Sequence, residues 1–423
     1  MKKIGLFLFG ICFALQMVAQ EQNYFTNPVI RGDVPDPSVI RIEDTYYATG
    51  TSSEWAPFYP MFTSKDLVNW KQVGHVFTKQ PSWTSNSFWA PELFYHNNKV
   101  YCYYTARQKS TGISYIGVAT SDSPLHEFTD HGPIVEYGKE AIDAFIYDDN
   151  GQLYISWKAY GLDTRPIELL GCKLSADGLH LDGEPFTLLV DEKGIGMEGQ
   201  YHFKEGDYYY IVYAAHGCCG PSSDYDVYVA RARNYGGPYE KYSGNPILHG
   251  GEGDYKSCGH GTVVRTSDGR MFYMCHAYLK GDGFFIGRQP ILQEMEMTDD
   301  HWVRFKTGNL AIAEQPIPFV GTKQEPLSDF EDNFKGNQLK VDWTWNYPYS
   351  DIHAVLKKGK LFLSGTPKNN NKYGTALCLR PQSPQYSCET KVINTGKGLK
   401  GLTLYGDDKN LIAWGIEGDK LIL

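Results

Sequence analysis

The chain has 423 residues, 42% of them hydrophobic and 14% aromatic, enough for one large core and a second, smaller one. Its formal charge of −9, without any basic block, argues against nucleic acid and anionic membrane surfaces as partners, whereas a neutral glycan fits. The 31 tyrosines and 44 glycines suit a fold rich in strands and turns, and such rings also stack on sugar faces.

Lys2-Lys3, the apolar run from Ile4 to Val18, and Ala19 ahead of Gln20-Glu21 read as an export signal over residues 1–20. The run is too short and too early for a membrane anchor, and no later stretch is long and apolar enough to span a bilayer. A secreted or periplasmic protein without a membrane span is expected. Export permits disulfides among the remaining cysteines, of which the adjacent Cys218 and Cys219 bond either to each other or to two separate partners.

Along the chain, Asp36, Glu92, Asp143, Glu198 and His260 recur at intervals of 56, 51, 55 and 62 residues. Each is followed by a turn and an aromatic-rich strand, as in Asp44-Thr45-Tyr46-Tyr47 and Asn150-Gly151-Gln152-Leu153-Tyr154. A period in this range with internal hairpin turns predicts an all-β, five-bladed β-propeller. The blades are expected near 30–85, 86–138, 139–194, 195–250 and 256–312, within a catalytic domain of residues 25–320. Gly117-Val118-Ala119-Thr120, Gly171-Cys172-Lys173-Leu174, Val227-Tyr228-Val229-Ala230 and Gln293-Glu294-Met295 read as outer strands.

Glu314-Gln315-Pro316-Ile317-Pro318 reads as a linker. Beyond Leu327, strand signals at Trp343-Thr344-Trp345-Asn346, Lys360-Leu361-Phe362-Leu363 and Leu402-Thr403-Leu404-Tyr405 predict a small or incomplete β-sandwich over 327–423.

If the five ionisable residues lie on the innermost strands, radial repetition gathers them around one axis. Such a ring is costly unless it performs chemistry or holds an ion. Glycosidic hydrolysis needs a proton for the departing oxygen and an activated water, tasks that two carboxyl groups divide. Asp36, held between Pro35 and Pro37, reads as the base. Glu198, among Gly196, Met197 and Gly199, reads as an acid whose pKa is raised by desolvation and a neighbouring carboxylate. Asp143 reads as the group that tunes and orients it. Trp89, Trp55, Phe88 and Phe145 are candidates for stacking on a sugar ring, Trp89 and Trp55 foremost, whereas Trp157, next to Lys158, reads as core. Glu92 either contacts substrate or is a hydrogen-bonded polar residue near the funnel. His260, between two glycines, suggests crowding around something small at the axis, a water or a hydrated calcium met through water.

The Asp-Pro-Ser motif at Asp36, Ile-Asp-Ala at Asp143 and Met-Glu-Gly at Glu198 resemble glycoside hydrolase family 43, which groups inverting β-xylosidases, α-arabinofuranosidases and arabinanases on five-bladed propellers. The resemblance covers about residues 25 to 312. It implies Asp36 as base, Asp143 as pKa modulator and Glu198 as acid. His260 matches the family's central histidine, and Arg288 resembles an arginine that contacts substrate. The expected partner is an oligosaccharide or polysaccharide of the xylan or arabinan kind. No cofactor is required for the chemistry, with structural calcium at the axis as an option. The tail resembles the sandwich of the xylosidase/arabinofuranosidase branch, shortened. Two other readings compete: a non-catalytic carbohydrate-binding propeller, and a propeller glycan phosphorylase, which calls for Arg, Lys and His clustered around phosphate.

Overall fold

The structure is a computed structural model describing residues 23–160, 166–393, 398–407 and 409–423. The expected export signal and the middle of the 160–167 loop lie outside the described residues. Among those residues, five antiparallel sheets are each built from strands consecutive in sequence. Blade 1 comprises Ser38–Ile42, Thr45–Thr49, Phe58–Ser64 and Lys71–Phe77. Blade 2 comprises Thr84–His96, Lys99–Gln108, Ser114–Ser121 and Thr129–Val135. Blade 3 comprises Ala141–Asp149, Gln152–Ala159, Glu168–Lys173 and Phe186–Val190. Blade 4 comprises Glu198–Glu205, Tyr208–Ala215 and Asp226–Ala232, the last flanked by both Glu240–Lys241 and Leu248–His249. Blade 5 comprises Tyr255–Arg265, Met271–Leu279, Arg288–Met297 and Val303–Phe305.

The first strands of the five blades touch in a closed ring, 1 to 2 to 3 to 4 to 5 and back to 1. The fold is a five-bladed β-propeller. The segments expected as outer strands are the third of four, because a short further strand covers each.

Both faces of every blade are apolar, and the core lies between blades. Five buried clusters correspond to the five interfaces: Phe58 and Met61 with Leu93 and Tyr104 (blades 1 and 2), Tyr103 and Val118 with Ile146 and Trp157 (2 and 3), Leu169 and Leu189 with Ile211 and Tyr213 (3 and 4), Tyr210 and Val212 with Tyr273 and Ile291 (4 and 5), and Val39 and Phe62 with Val264 and Leu292 (5 and 1). Trp157 is core, as expected, and so is Phe88, which packs on Phe58 and Tyr347.

Since every blade is made of consecutive strands, the ring must be locked from outside. Tyr24–Thr26 pairs with Glu314–Pro316. Next to it, the buried Asn27 donates from Nδ2 to Leu292 O (2.9 Å) and accepts from Leu292 N at Oδ1 (2.8 Å). Val29 N and Val34 N donate to Pro290 O and Arg288 O, at 3.0 Å each. The segment leading into blade 1 is thus stitched to blade 5.

Trp345–Asn346, expected in the sandwich, instead pairs with Trp55–Ala56 of the propeller. Tyr347 follows it into the blade 1–2 core, its hydroxyl donating to Ser85 O (3.0 Å). The C-terminal part then forms the hairpin Ser350–Leu356/Leu361–Pro367 and the three-stranded sheet Lys400–Tyr405, Leu411–Glu417 and Lys420–Ile422, sheets of β-sandwich type.

The lock can be tested directly. Asn27→Ala removes two buried hydrogen bonds and leaves Leu292 N–H and C=O unpaired, so unfolding should become easier by about 2–4 kcal/mol. A thermal unfolding midpoint within a degree of wild type would show that the ring closes without this clasp.

Candidate active site

The site is built on a backbone irregularity repeated in every blade. Asp36, Ala90, Asp143, Gly199 and His260 all have left-handed backbones, with φ of 55°, 41°, 58°, 60° and 47°. In blades 2 to 5 the pairing between first and second strands skips at this point, between Trp89 and Glu92, Ile142 and Phe145, Glu198 and Tyr201, and Gly259 and Gly261. Each is a β-bulge, a device that re-aims a side chain at the end of a strand. Four of the five residues are not glycine, and an L-residue in this conformation costs roughly 1–2 kcal/mol.

The repeat corrects the sequence-based alignment. Spacing put Glu92 and Glu198 at positions equivalent to Asp36, Asp143 and His260, but the equivalents in blades 2 and 4 are Ala90 and Gly199. Glu198 stands one residue earlier, the place held by Trp89 in blade 2. Glu92 stands two residues later, level with Ser38, Phe145, Tyr201 and Thr262. Gly199 leaves room for a neighbour: a Cβ there would lie 2.5 Å from Cγ of His260.

The bulges bring three of the expected groups together. His260 Nδ1 lies 3.4 Å from Asp36 Oδ1 and 3.8 Å from Asp143 Oδ2. A second ring, paired opposite the first, supports them. Thr51, whose N–H bonds Pro35 O, donates from Oγ1 to Asp36 Oδ2 (2.6 Å) and accepts from Ala90 N (2.6 Å). Thr105 Oγ1 accepts from Asp143 N (3.2 Å). Lys158, paired with Ile142, reaches Glu198 Oε2 at 2.6 Å. His276, paired with Gly259, places Nδ1 3.1 Å from Asp36 Oδ1. Arg288 Nη1 is 3.5 Å from the same oxygen, while its backbone N–H donates to Asp33 Oδ1 (2.8 Å).

The carboxyl groups are tuned in opposite directions. Burial pushes the pKa of Asp36 up, but Arg288, His260 and His276 outweigh it and hold the group well below the usual carboxylate range. Asp143 is raised to about 7, first by burial and also by the charge of Glu198, with His260 pulling the other way. Glu198 is lowered: burial works against ionisation, but the Lys158 ammonium and the hydrogen bond donated by Tyr225 (2.9 Å to Oε1) prevail. This corrects the expectation of a raised Glu198, since its surroundings include a buried cation and a phenol that the flanking residues gave no sign of. Near neutral pH the Asp143–Glu198 pair therefore carries a proton, held on Asp143.

Of the remaining candidates, Trp89 and Trp55 are half-buried, and the Trp55 ring meets Tyr405 edge-on at 6.1 Å. Phe145 is buried with its ring 4.4 Å from Tyr201 and stacked on His202 at 5.3 Å, so it packs at the axis and offers no face to a sugar. Glu92, facing the same axis, accepts from Ser38 Oγ (2.7 Å), and burial of its carboxyl raises its pKa to about 8. It shares a small axial cavity with His260, Phe145, Tyr201 and Gln200, whose Oε1 is buried without a protein partner. The glycines beside His260 are crowded by protein: a Cβ on Gly259 would meet Tyr225 at 2.4 Å, and one on Gly261 would meet Met274 O at 2.1 Å. Arg288 and Lys158 are each committed to a carboxylate, an arrangement unlike a phosphate clamp.

Sequence reasoning missed Lys158, Tyr225, His276 and Thr51. Lys158 left one trace, a lysine within the apolar strand Gln152–Ala159, one position before the strand's end.

A five-bladed propeller that gathers carboxyl groups tuned in opposite directions offers the pairing that glycosidic hydrolysis uses. Residues 25–303 match Glycosyl hydrolases family 43. Among similar proteins, a xylan 1,3-β-xylosidase of Vibrio sp. is 28% identical over 90% of this chain and 76% of its own. A non-reducing end α-L-arabinofuranosidase of Bacteroides ovatus is 28% identical over 96% of this chain and 78% of its own. The crystal structure of the GH43 BlXynB protein from Bacillus licheniformis shares the fold, with a TM-score of 0.75 and 23% identity over 93% of this chain and 79% of that one. The chain belongs to glycoside hydrolase family 43 and is a glycosidase.

Removing the cation beside Glu198 has a defined sign. In Lys158→Met the carboxylate loses its stabilising charge, so the carboxyl pair should keep its proton to higher pH. The descending limb of kcat/KM against pH should move up by about 1 unit or more. A limb that stays in place would separate Lys158 from the proton that limits the reaction.

Proposed function

We propose that this protein is a secreted, inverting exo-glycosidase that removes terminal arabinofuranosyl or xylosyl residues from xylan or arabinan fragments. The observation that carries the mechanism is the opposite tuning of Asp36 and the Asp143–Glu198 pair. Asp36, kept ionised by the Arg288 guanidinium, accepts a proton from a water as that water attacks the anomeric carbon. Glu198, at the more exposed place before the bulge, gives a proton to the departing glycosidic oxygen. Asp143, neutral below about pH 7, withdraws a like charge from the neighbourhood of Glu198 and so eases the protonation of Glu198 that precedes the transfer. The net result is addition of one water across the bond. The sugar class is supported by the xylosidase and arabinofuranosidase relatives. Export is supported by the basic pair and apolar run at the N-terminus.

The axial cavity has room for about one water molecule. Of the side-chain oxygens around it, Asp36 Oδ2 is engaged by Thr51, Ser38 Oγ by Glu92 and Thr262 Oγ1 by Pro37 O, an arrangement satisfied by protein and unlike the open shell of about 6–8 oxygens at roughly 2.3–2.6 Å that calcium takes. Among the described residues no three His, Cys, Asp or Glu side chains are set to hold a metal. We assign the cavity to water and route no step through an ion. Exhaustive chelation should then leave both the melting temperature and turnover unchanged, and a loss of either that calcium restores would overturn the assignment.

Asp36→Asn and Glu198→Gln should each lower turnover on unactivated oligosaccharides by about 10²–10⁴-fold. Aryl glycosides with good leaving groups should partly excuse the loss of Glu198 but not of Asp36. The best substrates among aryl xylosides, arabinofuranosides and galactosides, with proton NMR of the first product, test sugar class and stereochemistry. A retained anomer would exclude single displacement.

The pH profile follows from the same groups. Asp143, raised to about 7, is protonated below that pH and ionised above it. Activity should hold from weakly acidic pH to near neutrality and fall as pH rises through about 7. On the acid side Asp36 remains ionised far below the ordinary carboxylate range, so no loss of activity from its protonation is expected in weakly acidic buffer.

A further inference from the structure

Tyr225 touches both halves of the catalytic machinery. It is 1% exposed, its hydroxyl donates to Glu198 Oε1 (2.9 Å), and its ring stacks on His276 at 5.5 Å and 13°, the same His276 that lies 3.1 Å from Asp36. Gly259 is a glycine at the point where any Cβ would strike this ring. With Lys158 on Oε2 and Tyr225 on Oε1, the plane of the Glu198 carboxyl is fixed by two donors from different blades.

The loop that delivers Tyr225 is tied down more heavily than a connection of its length requires. It leaves the second strand of blade 4 at His216 and contains the Cys218–Cys219 disulfide. Gly217 N donates to Asp224 Oδ1 (2.9 Å), and Asp224 N donates back to Gly217 O (3.2 Å). Ser223 Oγ bonds Gly217 O and Cys218 O, each at 3.0 Å, and meets Ser257 Oγ of blade 5 at 2.8 Å. Gly220 N donates to Tyr278 OH (3.1 Å). The disulfide stiffens the two residues Cys218-Cys219, and the hydrogen bonds of Ser223 and Asp224 close the loop whose exit is Tyr225.

We propose that Tyr225 is a positioning residue that aims the Glu198 carboxyl at the leaving-group oxygen, and that the loop stiffened by the Cys218–Cys219 bond braces its phenol. The proposal rests on Glu198 being the acid. Burial raises the Tyr225 pKa far above its ordinary value, so the phenol stays a donor throughout the working range. The charged and titratable groups around the pair are Lys158, His260 and Asp143 on the Glu198 side, and Asp36, Asp143 and His276 on the Tyr225 side.

The test compares Tyr225→Phe, the double variant Cys218→Ser/Cys219→Ser and Glu198→Gln in the full chain. Tyr225→Phe deletes only the hydroxyl. It should lower kcat on unactivated oligosaccharides by about 10–100-fold, the worth of one hydrogen bond to a charged group. KM, and kcat on aryl glycosides with good leaving groups, should stay within about twofold. Without the phenol's stabilisation of the carboxylate, the descending limb of kcat/KM should also move to higher pH. A residue that merely filled space would move neither the leaving-group dependence nor the limb. The double serine variant should show the same pattern at smaller amplitude, with thermal unfolding confirming that it is folded. If Glu198→Gln is impaired while Tyr225→Phe keeps wild-type kcat and pH limb, the positioning role is overturned. Wild-type kinetics in the double serine variant overturn the brace. If Glu198→Gln itself retains full activity on poor leaving groups, the acid assignment fails instead.

Discussion

The structure depends on one left-handed residue at the inner edge of every blade, set by a bulge in the first strand of blades 2 to 5 and standing just before the first strand in blade 1. A regular strand would send alternate side chains into the interfaces between blades, which are apolar and closely packed, and no polar group could converge on the axis. The bulge breaks this alternation at one level only. At that level Asp36, Asp143 and His260 leave the interfaces and face one another, while two residues further along the strands Phe145 and Tyr201 already belong to the packed axis. Because the strain is spread over five blades and held by five separate apolar clusters, no single interface bears it.

The strands opposite the bulges decide what the gathered carboxylates become. Blade 1 offers Thr51, blade 3 Lys158 and blade 5 His276, and each meets a carboxylate of its own or a neighbouring blade. Three carboxyl groups in one dry funnel would repel one another and take up protons indiscriminately. Distributing cations asymmetrically, Arg288 to Asp36 and Lys158 to Glu198, leaves Asp143 as the group without a cation in direct contact, and it is the one that keeps a proton near neutrality. Which carboxyl group is ionised and which keeps a proton is thus set by which blade supplies which counter-charge, at least as much as by the carboxylates themselves.

Much of this was legible in the sequence. The 50- to 60-residue recurrence of ionisable residues with turn-and-strand followers is enough for five blades, and the local motifs around Asp36, Asp143 and Glu198 mark the site. What spacing could not resolve is register at the level of one or two residues, because a bulge inserts a residue without changing the turn grammar on either side. Hence Glu92 and Glu198 were aligned with positions that belong to Ala90 and Gly199. The supporting cast was hidden for another reason. Lys158 and His276 lie on strands whose neighbours in sequence are apolar, Tyr225 sits in a polar loop between Asp224 and Asp226, and the partners are distant along the chain: 40 residues separate Lys158 from Glu198, and 240 separate His276 from Asp36.

That hidden layer also resolves an apparent conflict in the site. A general acid should be protonated, yet Glu198 is surrounded by donors that favour its ionised form. The conflict disappears if the proton is regarded as the property of Asp143 and Glu198 together. Asp143 Oδ2 accepts a hydrogen bond from Gly199 N, the residue next to Glu198, so the two carboxyl groups are joined through one peptide unit and change environment together. On the proposed reading, a neutral Asp143 takes one like charge away from Glu198, so protonation of Glu198 meets less opposition when a glycosidic oxygen beside it gathers negative charge. Holding Glu198 ionised in the free protein then preserves its orientation in the grip of Lys158, where a neutral carboxyl among apolar residues would be free to turn away.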